Sequence, residues 1–227
     1  MTTNLRLALT VFSIGFAIEG AGDVYSFVSG GKFHPGVNLL FFLPIVMTLA
    51  GLLFVWVGRH EWSELHRTRV RQAHVVFGLS ILGGFVAGGV VALLYVEPGF
   101  GVPFWAKALF GGAVASLVLG TFVTYVYLVF HLVGRPSQGV LFAAIAWSLI
   151  VSALMGATLA TNLSAILALI RQHQPTLPGF VTPLDTLSSY LFLSYFLLLA
   201  AYLDAHRKVI AGPPAPPGGD AATRPAT

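Results

Sequence analysis

The chain of 227 residues contains no cysteine, and charged residues make up only 9% of it. The absence of cysteine excludes disulfide bonds, thiolate catalysis, and zinc or iron–sulfur sites built on cysteine. Soluble domains carry roughly 25% charged residues. A chain with so few charges and 56% hydrophobic residues cannot cover a surface that faces water. The composition therefore favours a protein whose outer surface faces lipid.

Six apolar segments occupy most of the chain, and each has the length of about 20 residues that a membrane-spanning helix needs. They are Leu7–Val28, Asn38–Gly58, His74–Val96, Phe104–Val133, Val140–Ile170 and Leu184–Ala205. The pattern predicts an all-α, polytopic membrane protein with a bundle of six transmembrane helices. We expect residues 1–210 to form a single six-helix transmembrane domain. Residues 211–227 are rich in proline, glycine and alanine, and we expect them to form a disordered cytoplasmic tail.

Two segments deviate from a simple perpendicular helix. The stretch Arg59–Ala73 contains neither glycine nor proline, so we expect the second helix to continue through it beyond the membrane. The fifth segment is longer than a perpendicular span requires, so we expect one helix that is tilted or that projects from the membrane.

The basic residues predict the orientation, because cytoplasmic loops of membrane proteins carry the excess of lysine and arginine. With six spans, both termini and the second and fourth loops share one side, which holds nine basic residues against three on the other. The nine are Arg6, Arg59, Arg67, Arg69, Arg71, Arg135, Arg207, Lys208 and Arg224, and the three are Lys32, Lys107 and Arg171. The bias predicts that both termini face the cytoplasm and that the protein lies in the cell membrane, plasma or inner.

Small residues recur at every fourth position in the third, fourth and fifth segments, which keeps them on one face of each helix. Helices in lipid associate by close backbone approach through such residues. We therefore expect these three helices to pack tightly. The weaker interpretation is that the Ser and Thr hydroxyls on these faces line a polar pathway. The glycines expected at these contacts are Gly84, Gly88, Gly112, Gly120 and Gly156.

Two carboxylates, Glu19 and Asp23, lie four residues apart on one face of the first helix. A carboxylate at this depth is costly in lipid, so it usually faces a bundle interior or water and marks an ion or proton pathway. Lys107 is the expected counter-ion of Asp23, and Asn162 on the fifth helix is expected to add a polar contact. The structural alternative is that Glu19 is a protonated hydrogen-bonding residue and that Asp23 lies at the membrane interface.

Histidines cluster at the boundary that we predict to be cytoplasmic. His74 opens the third apolar segment and His131 lies near the end of the fourth, so the two are expected at similar depth, as the paired ligands of a haem iron would be. His60 and Glu64 share a helical face and could hold a divalent metal. The alternative is that interfacial histidines simply suit the headgroup region, and this is the interpretation that we prefer.

The leading hypothesis is a non-enzymatic multipass membrane protein that moves or senses a proton, a cation or a small polar solute through Glu19 and Asp23. The alternatives are a b-type haem or metal-binding redox subunit, and an accessory structural subunit of a membrane complex without chemistry of its own. We expect no cofactor under the leading hypothesis and haem b under the second. The expected partner is the lipid bilayer, with a homo-oligomer or a larger membrane complex as alternatives, and no nucleic acid.

Overall fold

A computed structural model describes residues 3–29, 38–95, 101–172 and 181–212, and these residues form α-helices without any β-strand. The helices are α1 (Thr3–Ser29), α2 (Asn38–Val57), α3 (Glu64–Tyr95), α4 (Phe104–Val129), α5 (Arg135–Thr161), α6 (Leu163–Gln172), α7 (Val181–Ser189) and α8 (Phe192–Ala211). Within the described ranges, six helical segments are long and apolar enough to cross a membrane. This number matches the sequence prediction and fits a multipass membrane protein. Of the expected tail, residues 213–227 lie outside the described residues.

The spanning helices are arranged so that neighbours in sequence are neighbours in space. The most extensive contacts join α3 to α4 and α4 to α5, followed by α1 with α8, α1 with α2, and α5 with α8. Because α8 returns to α1, the helices follow one another around the bundle. The junction between α2 and α3 is the least extensive of this series.

Both ends of the described chain meet at one end of the bundle, which we call the terminal end; the opposite end is the distal end. Arg6 near the start of α1 donates hydrogen bonds of 3.4 Å to the carbonyls of Val209 and Ile210 near the end of α8. At the same end, the Glu61 carboxylate accepts hydrogen bonds from the backbone N–H groups of Asn4 (3.2 Å) and Leu5 (3.0 Å). Glu61 thereby satisfies donors that the first turn of α1 leaves free.

The extension beyond the membrane belongs to α3 and not to α2, so the expectation of a lengthened second helix is wrong. Helix α2 ends at Val57, and a short 3-10 helix, Gly58–His60, follows it. Helix α3 then begins at Glu64, ten residues before the predicted start. The Ser63 hydroxyl accepts a hydrogen bond from the His66 N–H at 3.1 Å, which is a typical helix N-cap. The stretch without glycine and proline therefore extends α3 at its N-terminal end, and it does not extend α2 at its C-terminal end.

The fifth apolar segment is broken, contrary to the expectation of one long helix. Helix α5 ends at Thr161, and α6 begins at Leu163. Between them, the Asn162 side-chain amide donates to the Thr158 carbonyl at 2.7 Å, a local hydrogen bond of the kind that competes with helix continuation. The sixth segment is also divided, into α7 and α8, where the Trp147 indole donates to the Tyr190 carbonyl at 2.7 Å.

Glycines allow close approaches between α4 and its two neighbours, α3 and α5. A Cβ atom built on Gly120 would overlap the Ser80 side chain of α3, and one built on Gly84 would come within 3.3 Å of Leu117. On the other side of α4, Gly111 and Gly156 lie backbone to backbone, so that a Cβ on either would overlap the carbonyl of the other. Small residues therefore let both neighbours approach α4 closely, as is common in membranes.

Two of the expected packing glycines do not make such close approaches. A Cβ on Gly88 would meet only the Phe110 ring at 3.8 Å, an ordinary contact, and a Cβ on Gly112 would meet nothing within 4 Å. The approach to α5 is made by Gly111 instead, one residue earlier. One residue turns a helix by about 100°, so Gly111 faces α5 while Gly112 is exposed.

Candidate functional site

A small internal cavity lies between α1, α2, α4 and α8, and Glu19 lines it. The cavity has a volume of about 10 Å³, which is room for about one water molecule. The other lining residues are Phe12, Gly15, Phe16, Pro44, Thr48, Tyr125 and Tyr195. Glu19 thus faces the interior of the bundle, which is where the cost of a carboxylate in lipid requires it to be.

Three hydroxyl-bearing side chains line the cavity together with Glu19. The hydroxyls of Thr48 on α2 and Tyr125 on α4 are 2.8 Å apart and share a hydrogen bond. Tyr195 on α8 supplies a third hydroxyl-bearing side chain to the lining. A hydroxyl can both donate and accept a hydrogen bond. The cavity can therefore match either protonation state of a carboxyl group, directly or through one water molecule.

A proline and a glycine shape the wall of the cavity. Pro44 has no backbone N–H, so it interrupts the hydrogen-bond ladder of α2 beside the cavity. Gly15 on α1 lies opposite Met47, and a Cβ at this position would come within 3.4 Å of the Met47 Cβ. The two helices are thus close at the level of the cavity, and the ladder of one of them is weakened there.

Aromatic rings close the cavity toward the terminal end. Phe16 packs edge-on against Tyr125 and against Tyr202, with ring centroids 4.9 Å apart in both pairs. Phe12, one turn nearer the terminal end, packs against Tyr202 at 5.4 Å. The Tyr202 hydroxyl donates to the Tyr125 carbonyl at 2.9 Å. These four side chains, Phe12, Phe16, Tyr125 and Tyr202, form what we call the aromatic layer.

Asp23 lies one helical turn beyond Glu19, about 6 Å closer to the distal end at a rise of 1.5 Å per residue. Its side chain is half-buried. The two carboxylates therefore lie in sequence along α1, one at the cavity and one between the cavity and the distal end.

The structure does not bring Lys107 or Asn162 to Glu19 and Asp23. Lys107 lies near the distal end of α4, along a groove between α4 and α5, and the described residues contain no ion pair between Lys107 and Asp23. The Asn162 amide is engaged with the end of its own helix. The sequence placed these residues at a similar depth, but it did not give the rotation of each helix about its axis.

His74 and His131 do not face one another. The two ring nitrogens of His74 lie 2.8 Å from the Val70 carbonyl and 3.2 Å from the Leu52 carbonyl, and the ring packs on Trp56. Because both nitrogens lie against backbone oxygens, the ring is held between α2 and α3. The alternative in which His74 and His131 pair as haem ligands is therefore not supported by their placement.

His131 pairs with His66 instead, with Nε2 of His131 2.8 Å from Nδ1 of His66. His66 is fully buried. Burial, with smaller contributions from the nearby His66 and Arg69, lowers the pKa of His131 to about 3. Within the described part of the chain, the other ring nitrogens, Nε2 of His66 and Nδ1 of His131, have no hydrogen-bond partner. The pair is thus a neutral contact that joins α3 to the end of α4.

The alternative metal site of His60 and Glu64 is also not supported by the placement of these residues. His60 is exposed, and Glu64 forms an ion pair of 3.1 Å with Arg67. Across the described parts of the chain, no group of three or more His, Cys, Asp or Glu side chains is placed to hold a metal ion.

The sequence reasoning missed the residues that complete the cavity, namely Thr48, Tyr125 and Tyr195. Each is a hydroxyl-bearing residue inside an apolar helix, and that signal was available. It does not identify which of the many Ser, Thr and Tyr residues in these helices share one cavity. Asp204, which accepts a hydrogen bond of 2.8 Å from Ser137 and so joins α8 to the start of α5, was missed for the same reason.

No protein-family model, curated protein or solved structure matches this chain. The function must therefore be inferred from the geometry of the cavity and from its chemistry.

Proposed function

We propose that this membrane protein binds and releases a proton at Glu19, as part of moving or sensing protons across the bundle. The observation that carries the proposal is the placement of Glu19 in an internal cavity with the hydroxyl-bearing Thr48, Tyr125 and Tyr195. Ionisable residues inside a membrane usually mark such pathways.

The size of the cavity favours a proton over a metal cation. A volume of about 10 Å³ admits about one water molecule. A divalent cation such as Mg²⁺ keeps several water molecules when it is bound by only one or two carboxylates, and the cavity has no room for them. A proton needs only the carboxyl group and one acceptor or water molecule beside it.

The proposed exchange route runs from Glu19 toward the distal end. Asp23, one turn further along α1, is positioned to relay the proton between the cavity and that end. The aromatic layer blocks the opposite direction, since Phe12 and Phe16 pack against Tyr125 and Tyr202. If the terminal end is cytoplasmic, as the basic residues indicate, the site exchanges protons with the outside and is closed to the cytoplasm in this conformation.

The proposal is tested by replacing Glu19 with glutamine, which keeps the shape and hydrogen-bonding capacity but does not titrate. In proteoliposomes with a trapped pH-sensitive dye, we expect the wild type to respond to an imposed pH gradient and the variant Glu19→Gln to lose the response. Infrared difference spectra between high and low pH should show the C=O band of one protonated carboxyl group, absent in the variant.

Glu64→Gln is the matched control, because Glu64 is exposed and lies outside the cavity. It should behave as the wild type in both measurements, and all variants should melt at similar temperatures in detergent. A carboxyl band without proton movement would assign the site to sensing. A wild type that shows neither the band nor proton movement, or a variant Glu19→Gln that retains both, would overturn the proposal.

A further inference from the structure

A second concave feature lies between α4 and α5, remote from the Glu19 cavity, and nothing in the proposed function uses it. It is a groove of about 660 Å³, within the range of roughly 300–1,000 Å³ typical of small-molecule sites. Its walls are formed mainly by Gly111, Gly112 and Ala115 on α4 and by Ala153, Ala157 and Ala160 on α5. Apart from Phe104 near the start of α4, the apolar residues that line the groove are glycine and alanine.

The groove is apolar along its length and polar only at its distal end. Its polar lining residues, Lys107 and Thr161, lie near the start of α4 and the end of α5, which are at the same end of the bundle. From Lys107 to Ala115 the groove extends over eight residues, or about 12 Å. This is close to the roughly 15 Å that one leaflet contributes to a hydrocarbon core of about 30 Å.

Lys107 has no acidic partner among the residues that the structure describes. Its side chain is half-buried, and a lysine at the end of a spanning helix extends its ammonium group toward the headgroup region. Lys107 therefore places a positive charge at headgroup depth, next to an apolar groove about as long as one leaflet is thick. This combination is complementary to one kind of molecule. That molecule has an anionic head and a hydrocarbon chain.

We propose that this groove is a binding site for an anionic glycerophospholipid of the distal leaflet. One acyl chain lies against the glycines and alanines of α4 and α5, and the headgroup phosphate pairs with the Lys107 ammonium group. The apolar walls bind any acyl chain, so the preference for an anionic lipid comes from Lys107.

The test is native mass spectrometry of the full chain, purified in detergent and mixed with phosphatidylglycerol or with phosphatidylcholine. The wild type should retain one phosphatidylglycerol molecule in preference to phosphatidylcholine. A basic residue near the membrane surface contributes about a fivefold preference for anionic lipid, so Lys107→Gln should lower the preference by about that factor. Gly112→Leu should reduce retention of both lipids, because Gly112 lines the groove and a Cβ at this position meets no atom within 4 Å, so the added side chain would occupy the space of the acyl chain.

Two variants serve as matched controls. Arg71→Gln removes a charge at the other end of the bundle, and Gly83→Leu adds a side chain at a glycine of α3 that also faces open space. Both should retain lipid as the wild type does. Equal retention of the two lipids by the wild type, or unchanged retention in Lys107→Gln and Gly112→Leu, would overturn the proposal. A dimer that disappears in Gly112→Leu would also overturn it, because the occupant would then be a second copy of the chain.

Discussion

The buried imidazole of His131 is compatible with its surroundings only as a neutral ring. It lies 2.8 Å from His66, and both burial and the nearby positive charge of Arg69 disfavour a proton on it. Its folded-state pKa of about 3 is below the value of roughly 6.5 for a solvent-exposed histidine. Between these values the unfolded chain binds a proton that the folded chain does not, so stability falls as the pH is lowered through about 6.5.

We predict that this histidine contributes to acid destabilisation of the bundle. In detergent, the unfolding temperature of the wild type should fall between pH about 7.5 and pH about 5.5, with His131 accounting for about 1 kcal/mol. The variant His131→Gln should show a smaller fall, because glutamine can replace the hydrogen bond to His66 without titrating. His60→Gln, at an exposed histidine, is the control. Parallel losses in the wild type and in His131→Gln would contradict the prediction.

The inward orientation of a membrane carboxylate was predictable, and the partner of a histidine near a helix end was not. The cost of burying a carboxylate fixed that Glu19 faces the interior. His74 was paired with His131 because both were placed at the same boundary. The true partner, His66, is eight residues earlier on α3, which corresponds to about 12 Å and a rotation of about 80° beyond two full turns. Only the observed start of α3 at Glu64 places His66 against α4.

At the scale of the helices, two adjacent glycines of α4 have opposite environments. Gly111 lies backbone to backbone with Gly156 of α5, whereas Gly112 faces the open groove. We predict that Gly111→Ala lowers the thermal stability of the detergent-solubilised protein clearly, by about 1–3 kcal/mol, since the extra methyl group must separate two helix backbones. Gly112→Ala should be nearly silent. Both substitutions replace glycine by alanine within the same helix, so the difference in stability between the two variants reports packing and not helix propensity. Equal stability of the two variants would contradict the conclusion that Gly111 faces α5 and Gly112 faces the groove.

The number of spanning segments followed from the sequence because apolar length is a direct signal. The helix boundaries did not follow, since they depend on local capping. Ser63 starts α3 through its hydroxyl, and Asn162 ends α5 through its amide. Both residue types are common at many positions that do not cap helices. The spacing of small residues indicated which helices pack closely, and it identified the close contacts at Gly84, Gly120 and Gly156. It selected Gly112, whereas the contact with α5 is made by Gly111.

For the whole molecule, the sequential arrangement of the helices has one weak junction, between α2 and α3. Helix α2 carries Pro44 and Thr48 of the Glu19 cavity. Its main contact is with α1, where Gly51 accommodates the Phe12 ring of the aromatic layer. Helix α2 is therefore held in the bundle mainly through α1 and through the hydrogen bond of Thr48 to Tyr125 on α4.

The orientation of the whole bundle is a further prediction, which follows from its basic residues. Loops and helix ends at the terminal end carry Arg6, Arg59, Arg67, Arg69, Arg71, Arg135, Arg207 and Lys208, and the contacts of Glu61 with Asn4 and of Asp204 with Ser137 hold these elements together. Since basic loops stay in the cytoplasm, we expect a fluorescent reporter fused at the C-terminus or in the connection between α4 and α5 to be active. We expect the connection between α1 and α2 to lie outside, so a phosphatase reporter inserted there should be active. Phosphatase activity at the C-terminus would reverse the orientation, and with it the side toward which the proposed proton route from Glu19 opens.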